Sequence, residues 1–411
     1  LANILGKPYE DIFAEFLGAD FDDEISLGDV KYHLGYGNTI TTEKGKKVRL
    51  NLVPNPSHLE TVGPVVQGIA KAKIWGKYSH NYDKLAPIVI HGDAAIASQG
   101  VVYETIQMSQ LKGYRTGGTI HLVINNQVGF TTNYLDARSS TYCTDIAKVI
   151  KAPIFHVNGD DVEALTYTIQ LAMEYRHTFH TDVFIDILCY RKYGHNEGDE
   201  PRFTQPVLYK EISKHPNPRD IYRNVLIENK TCSKDDFIKA EEEYEQILNE
   251  KLELAKKMEK LRIKQFLIED WQKFRHARTD EFEESPFTGV KKEILIKVAE
   301  KLNNAPKELK LFKKLEKLLE DRKKMISDEK LDWAMAELLA YGTLVYEGHP
   351  VRLSGQDSER GTFSHRHSAL NIEDTDQKYI PLKNISDKQA PFHVFNSPLS
   401  EYGVLGFEYG Y

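Results

Sequence analysis

The stretch PIVIHGDAAIASQG, residues 87–100, places an acidic side chain directly after a short apolar run. The run at 87–90 is typical of a buried strand, and Asp93 follows it among glycine and alanine residues. An ionised carboxylate buried at a strand end is costly unless a cation or several hydrogen-bond donors compensate it. Asp93 is therefore the first candidate for a binding residue.

The pattern around this stretch predicts the fold class. Continuous apolar runs alternate with helical patterns, which is typical of an α/β fold with a parallel sheet covered by helices. We expect strands at 87–90, 119–125, 152–158 and 182–190, with helices at 99–111 and 161–179, the second capped by Asp160 or Asp161. Ligands bind at the carboxyl ends of such strands, so the residues that follow each strand are the informative ones.

Composition limits the class of protein. The chain has 411 residues, 41% hydrophobic and 28% charged, which is enough for two or three globular domains. A net charge of −7 argues against a general nucleic-acid or anionic-membrane partner, and no apolar stretch has the length of a membrane span. Three cysteines without metal-ligand spacing indicate a reducing compartment. The start, without Met and within a helical pattern, predicts an internal piece of a longer polypeptide.

Three segments are expected along the chain. Residues 1–225 are expected to form the first domain, with the alternating pattern over about 84–194, and 226–329 form a helical connector rich in Lys and Glu. A helix near Trp333 and a strand at 349–355 begin a second α/β domain over 330–411.

Polar residues follow two of the predicted strands, in GDA at 92–94 and NNQ at 125–127. If the two turns lie side by side, the Asp93 carboxylate, an asparagine amide oxygen and a backbone carbonyl can converge on Mg²⁺, which also takes oxygens from phosphates. The small residues would let a diphosphate approach the backbone. The alternative is that Asp93 is a helix N-cap and the asparagines only form a turn.

The pairing of Gly-Asp with Asn-Asn, and many further segments, resemble the decarboxylating component of 2-oxoglutarate dehydrogenase complexes. The segments are, in order, DVKYHLG, NPSHLE, HGDAAIASQGVVYETIQMSQL, NNQVGFTT, DARSS, APIFHVNGDD, CYRKYGHNEGDEPRFTQP and VRLSGQDSERGTFSHRH. The resemblance covers nearly the whole chain and is weakest in the connector. Ala94 stands where that family usually has glycine.

The resemblance implies a thiamine diphosphate-binding fold and a set of site residues. Asp93, the Asn126 side chain and the Val128 carbonyl would ligate magnesium, with Ala94 beside the cofactor diphosphate. Glu401, in SEYGVLG, would face the aminopyrimidine ring of the cofactor, and Glu408 is a less favoured choice.

Histidines and one glutamine complete the implied site. His33 would help to hold the distal carboxylate of the substrate, and His195 would lie in a loop next to the diphosphate. His365, with His367 as its neighbour, is a weaker catalytic candidate, and Gln356 would contact the pyrimidine side of the cofactor. For His58, packing and lining of the cofactor cleft stay equally open.

By the same resemblance the protein decarboxylates 2-oxoglutarate in the tricarboxylic acid cycle and passes the succinyl group to the lipoyl group of dihydrolipoyl succinyltransferase. A homodimer is expected, in a bacterial cytoplasm or a mitochondrial matrix. The family carries an HRGRLN-like motif before the segment that matches Leu1, so we expect the 411 residues alone to be inactive or nearly so.

Three alternatives stay open. The first is a related thiamine diphosphate enzyme acting on another 2-oxo acid, such as pyruvate. The second is a nicotinamide-dependent oxidoreductase, which would need G-x-G-x-x-G where this chain has GDAAIASQG. The third is a non-enzymatic assembly fragment.

Overall fold

The computed structural model describes residues 1–21, 31–261, 266–275 and 277–411. Its strands are β1 Asp20–Phe21, β2 Tyr36–Thr41, β3 Lys47–Leu52, β4 Ile88–Gly92, β5 Ile120–Asn125, β6 Val128–Gly129, β7 Thr132–Asn133, β8 Ile154–Asn158, β9 Val183–Leu188, β10 Lys260–Leu261, β11 Val351–Gly355, β12 Leu370–Asn371, β13 Lys378–Tyr379 and β14 Phe392–Asn396.

The α-helices follow the same order along the chain. They are α1 Ala2–Leu5, α2 Tyr9–Leu17, α3 Val62–Gly76, α4 Asp93–Ser98, α5 Gly100–Met108, α6 Tyr134–Ala137, α7 Val162–Phe179, α8 Pro206–Ile212, α9 Pro218–Glu228, α10 Lys234–Ala255, α11 Ile268–Trp271, α12 Lys292–Leu302, α13 Lys313–Ser327, α14 Trp333–Tyr346 and α15 Tyr402–Gly410. Short 3₁₀ helices include Lys31–Leu34 and Cys143–Ile150. No helix within the described ranges is both long and apolar enough to cross a membrane.

A four-stranded parallel sheet forms the centre of the first part of the chain. Its strand order is β4-β5-β9-β8, and all three pairings are parallel. The predicted parallel sheet is therefore confirmed, with each strand starting or ending within two residues of the expected position. Because the strands run the same way, their carboxyl ends meet at one edge.

Helices cover the sheet on two faces, as expected for a parallel sheet. On one face α4, α5 and the 3₁₀ helix at 143–150 enclose a core of Ile96, Val102, Ile106, Val123, Cys143, Ala147 and Phe184. On the other face α7 packs on a core of Ile120, Val157, Ala172, Val183, Ile185 and Ile187. Asp161 caps α7, its carboxylate accepting a hydrogen bond from the Ala164 N–H at 2.9 Å. The predicted cap is confirmed.

The described chain divides into two compact units. The first comprises Leu1–Gln110, Tyr114–His276 and Tyr409–Tyr411, and the second comprises Leu111–Gly113 and Ala277–Glu408. Helix α10 of the predicted connector packs on α2 within the first unit through Ala255, and Met258, just after the helix, packs against the same cluster. Helices α12 and α13 belong to the second unit. The three-segment division stays a prediction.

The second unit has its own core. Helix α14 and the parallel pair β11–β14 supply much of it, with residues of α12. Its buried members include Val298, Leu302, Met335, Leu338, Leu339, Val345, Leu382, Phe392 and Val394. The expected helix near Trp333 and the strand that follows it are therefore confirmed.

Close backbone packing fixes the segment just before β5. This packing positions β5, which ends at Asn125 and is followed by Asn126. Gly118 has φ +91°, and a Cβ there would lie 2.2 Å from the Thr181 carbonyl oxygen. The fully buried Arg176 donates to the carbonyl oxygen of Gly118 at 3.2 Å, and Asp182 accepts from the Thr119 N–H at 2.8 Å. Only glycine fits this crossing.

We predict that Gly118→Ala destabilises the protein more than Gly45→Ala. Gly45, in the β2–β3 turn, also has positive φ (+73°), but a Cβ there meets nothing within 4 Å. Backbone strain alone should cost Gly45→Ala about 1–2 kcal/mol, and the clash should add about 1–3 kcal/mol for Gly118→Ala. Urea unfolding measures both, and equal losses would show that the Thr181 contact is unimportant.

Candidate functional site

The carboxyl ends of β4 and β5 bring the two predicted turns to one edge of the sheet. Gly92 is paired in register with Ile124, so Asp93 and Asn125 are the next residues on adjacent strands. Helix α4 begins at Asp93 itself, with Gly92 as its N-cap. Asp93 is thus the first residue of the helix, and its alternative interpretation as an N-cap is wrong by one position.

Asp93 is buried, with 2% of its surface exposed, and its carboxylate meets a cation. The Nη1 atom of Arg138 lies 3.3 Å from Oδ2 of Asp93. Burial raises the pKa of Asp93 above its usual range, and the opposing effect of the Arg138 charge is smaller. Arg138 lies in the DARSS segment, but the sequence did not suggest its contact with Asp93.

The Asn126 side chain forms a tight turn in this structure. Its Oδ1 accepts a hydrogen bond from the Val128 N–H at 3.2 Å, across Gln127, whose φ is +67°. In this structure Asn126 therefore forms a turn, as the alternative interpretation of the asparagines predicted. The amide oxygen lies on the same short segment as the Val128 carbonyl, the other predicted ligand, and the two ligand roles stay predictions.

A close approach between Ala94 and Gly129 joins the two turns. A Cβ on Gly129 would lie 2.5 Å from the Cβ of Ala94, so the strand β6 passes directly over the start of α4. The contact with this turn therefore explains why residue 94 has a small side chain. Ala95 is buried, and Ala97 packs against the core beneath α4, so these two are small for helix packing rather than to leave space for a ligand.

The first asparagine of the motif has a separate role. The Nδ2 atom of Asn125 donates to Oδ1 of Asp186 at 3.0 Å, inside the sheet. Asp186 also accepts from Nδ1 of His156 at 2.9 Å. Asn125 therefore holds the end of β5 against β9, which leaves Asn126 as the asparagine of the turn.

His195 lies in a loop packed against the segment that follows Val128. Its ring meets Phe130 edge-on at 5.4 Å, and its Nδ1 lies 2.9 Å from a carboxylate oxygen of Asp199. Arg191 donates to the Phe130 carbonyl oxygen at 2.7 Å, which ties the loop to the same turn. The structure thus brings His195 next to the Asn126–Phe130 segment.

His33 is buried in the 3₁₀ helix Lys31–Leu34, and its carbonyl oxygen accepts from the Asn55 N–H at 3.0 Å. It lies beside the NPSHLE segment rather than in the Asp93 turn. In that segment His58 is exposed.

A buried chain of ionisable groups, which the sequence did not suggest, links NPSHLE to the sheet. Glu60 contacts His91 at 2.6 Å, and His91 contacts His121 at 2.9 Å. His121 lies 3.5 Å from Asp182. Burial lowers the pKa of His121, which favours its neutral form. The chain fixes the Glu60 turn to β4, two residues before Asp93.

In the second unit, Gln356 and the residue before Glu401 are in contact. The Nε2 atom of Gln356 donates to the Ser400 carbonyl oxygen at 3.4 Å. Glu401 is exposed and directly precedes α15. Glu408 forms two 2.8 Å contacts with Arg352, whose side chain is 7% exposed, so its carboxylate is held in an ion pair. This geometry favours Glu401 over Glu408 for a reacting role.

The loop that carries His365 is anchored from two helices. Arg322 of α13 donates to the carbonyl oxygens of His365 and Arg366, at 2.9 and 2.7 Å. Arg366 binds Glu337 of α14 through two bonds of 2.7 and 3.0 Å. Burial lowers the pKa of His367. These contacts hold the loop that carries His365 in place. The Arg360 carbonyl oxygen accepts hydrogen bonds from this loop and so connects it to the segment after Gln356.

The donor set around Asp93 suits a hard cation. A carboxylate, an amide oxygen and a carbonyl oxygen are the ligands that Mg²⁺ accepts alongside phosphate and water. Among the described residues, no cluster of three or more His, Cys, Asp or Glu residues is arranged to hold a metal. Burial raises the pKa of Cys143 to about 12 and of Cys189 to about 11, so neither thiol is a nucleophile at neutral pH.

Two family descriptions match most of the chain. Residues 3–264 match the family described as dehydrogenase E1 component, and residues 329–411 match the transketolase pyrimidine binding domain. The whole chain is 49% identical to the mitochondrial 2-oxoglutarate dehydrogenase of Schizosaccharomyces pombe. It is 47% and 45% identical to the 2-oxoglutarate dehydrogenase E1 components of Rickettsia felis and Azotobacter vinelandii.

The matches cover 100% of this chain but 41%, 42% and 43% of these three relatives, so the chain spans less than half the length of each. The first family description alone accounts for more than half of its residues. The chain belongs to the dehydrogenase E1 component family.

Proposed function

We propose that the protein carrying this chain catalyses the oxidative decarboxylation of 2-oxoglutarate and transfers the succinyl group to a lipoyl group of its partner succinyltransferase. The contact of Ala94 with Gly129 carries this proposal, because it places Asp93 beside the Asn126–Val128 turn. The names of relatives 45–49% identical over the whole chain support the choice of substrate. The proposal concerns the whole protein, of which this chain matches less than half.

The cofactor proposed is thiamine diphosphate with Mg²⁺. When bound, the cofactor supplies the carbanion chemistry and accepts the electron pair released with carbon dioxide. Asp93, Asn126 and Val128 hold the metal, Ala94 lies beside the diphosphate, and His195 closes the same side. The buried, unpaired Nε of Arg138, within reach of Asp93, supports an anion at this place.

The second unit contains the residues proposed to contact the aminopyrimidine ring of the cofactor. Glu401 holds a proton at the aminopyrimidine ring, and Gln356 contacts the same ring. Glu401 is the better donor because, within the described ranges, no ion pair like that of Glu408 with Arg352 fixes it. The transketolase pyrimidine binding match over residues 329–411 supports this assignment.

The proposed substrate is a dicarboxylate. His33 is the proposed contact for its distal carboxylate, which a monocarboxylate such as pyruvate would not require, and His365 is a further candidate for a contact with the substrate. A homodimer and a complex with dihydrolipoyl succinyltransferase are the proposed assemblies. Because one relative is named as mitochondrial and others are bacterial, we propose a mitochondrial matrix or a bacterial cytoplasm as the location.

We predict that the full-length protein reduces ferricyanide with 2-oxoglutarate at a kcat/KM at least about 100-fold above that with pyruvate, as expected when a site binds a charge that the competitor lacks. Asp93→Asn should abolish the rate and weaken magnesium–thiamine diphosphate binding, measured by calorimetry. Arg219→Gln, an exposed site on α9, is the matched control. Equal rates with both acids would overturn the substrate, and normal cofactor binding by Asp93→Asn would overturn the metal site.

The two glutamates near the end of the chain separate catalysis from stability. We predict that Glu401→Gln lowers kcat by about 10²- to 10⁴-fold, the usual range for a proton-transfer residue, with an unchanged midpoint of urea unfolding. Glu408→Gln should lower the free energy of unfolding by about 1–3 kcal/mol, because Arg352 loses its carboxylate. The rate of Glu408→Gln per folded molecule should exceed that of Glu401→Gln. The reverse order of rates would assign the reacting role to Glu408.

A further inference from the structure

The contact between Arg138 and Asp93 differs from two partly buried arginine–carboxylate pairs in the described part of the chain. Arg352 meets Glu408, and Arg366 meets Glu337, each through two bonds of 2.7–3.0 Å. Arg138 reaches Asp93 with a single Nη1–Oδ2 contact of 3.3 Å. Two-pronged pairs are the strong form of this interaction, so Arg138 is held by Asp93 much more loosely.

The guanidinium of Arg138 is also incompletely bonded. Its side chain is 7% exposed, and its Nε is buried without a hydrogen-bond acceptor in the described part of the chain. Its charge lies 5.3 Å over the Tyr134 ring, which offers attraction but no acceptor. A buried donor without an acceptor costs free energy, so an acceptor brought by a ligand would be bound favourably.

Asp93 has the complementary problem. Its carboxylate is buried, and one contact of 3.3 Å to Arg138 is a weak compensation for that burial. A divalent cation at Asp93 would compensate the carboxylate better but would repel the guanidinium 3.3 Å away. Arg138 and a metal would therefore compete for the same carboxylate.

We infer that Arg138 is a resident counter-ion that occupies the Asp93 carboxylate in the unloaded protein and moves to a phosphate oxygen of the cofactor when a divalent cation binds Asp93. The exchange lets the buried pair stay neutral before the cofactor arrives and gives the guanidinium its missing acceptor afterwards. Arg138 is thus a cofactor-binding residue whose partner differs between the two states. The inference rests on the proposed cofactor.

The test uses Arg138→Gln, which removes the charge, with Mn²⁺ as a paramagnetic substitute for Mg²⁺. Free Mn²⁺, counted by electron paramagnetic resonance, gives the affinity for the metal alone. Calorimetry at saturating metal gives the affinity for thiamine diphosphate. We predict opposite changes: Mn²⁺ alone binds about threefold or more tightly to Arg138→Gln, and thiamine diphosphate binds about tenfold or more weakly.

Other roles for Arg138 predict different pairs of results. If Arg138 only stabilises the fold, both affinities fall together. If it only binds phosphate, the affinity for Mn²⁺ alone does not change. Either outcome overturns the exchange. Arg138→Lys, which keeps the charge without the planar fork, should bind Mn²⁺ like the parent and thiamine diphosphate more weakly. If Arg138→Gln does not fold, Arg138→Met, which also removes the charge and keeps a long unbranched side chain, is titrated in its place with the same two expected changes.

Failure of the exchange and failure of the proposed function are distinguishable. A parent protein that binds no thiamine diphosphate refutes the function, while the Mn²⁺ arm still tests the competition at Asp93. A parent that binds the cofactor, with Arg138→Gln unchanged in both titrations, refutes the exchange alone. Arg219→Gln, whose arginine is 68% exposed, should change neither affinity.

Discussion

The burial of the Asp93 carboxylate at the end of β4 is the constraint on which the candidate site depends. A charge in that position needs a cation, and the surrounding residues can be understood from that need. Arg138 supplies a cation in the structure, through one long contact. Gly129 and Ala94 are small because the turn that carries Asn126 and Val128 must pass over the start of α4 to lie beside the carboxylate.

Most of the fold could be predicted from the sequence because its parallel sheet is built from short, continuous apolar runs. Runs such as 119–125 and 182–190 leave little choice but buried strands, and Asp161 marks the start of α7 by the usual capping chemistry. Helix boundaries were harder. The pattern predicts one helix over 99–111, whereas two helices follow β4 and the first begins at Asp93.

Part of the site could be predicted for the same topological reason. Asp93 and Asn126 come directly after adjacent parallel strands, so their proximity follows from the sheet. The contact with Arg138 could not be predicted, because the arginine follows a short helix, and no periodicity in the sequence indicates where that segment lies relative to the sheet. His91 and His121 were missed for another reason: a histidine within an apolar strand looks like an ordinary core residue until the register places the two diagonally on the same face of the sheet.

The ion pairs of this chain show two kinds of arginine bonding. Arg352 and Arg366 each bind a carboxylate of a helix through two short hydrogen bonds. Removing either partner of such a pair would leave a partly buried charge without compensation. Nothing in the bonding of such a pair favours its dissociation. Arg138 touches its carboxylate once and leaves Nε without an acceptor among the described residues, although it is as well buried as Arg352. Equal burial with poorer bonding means that the local structure does not satisfy Arg138 by itself, and a ligand that brings anionic oxygens would satisfy it.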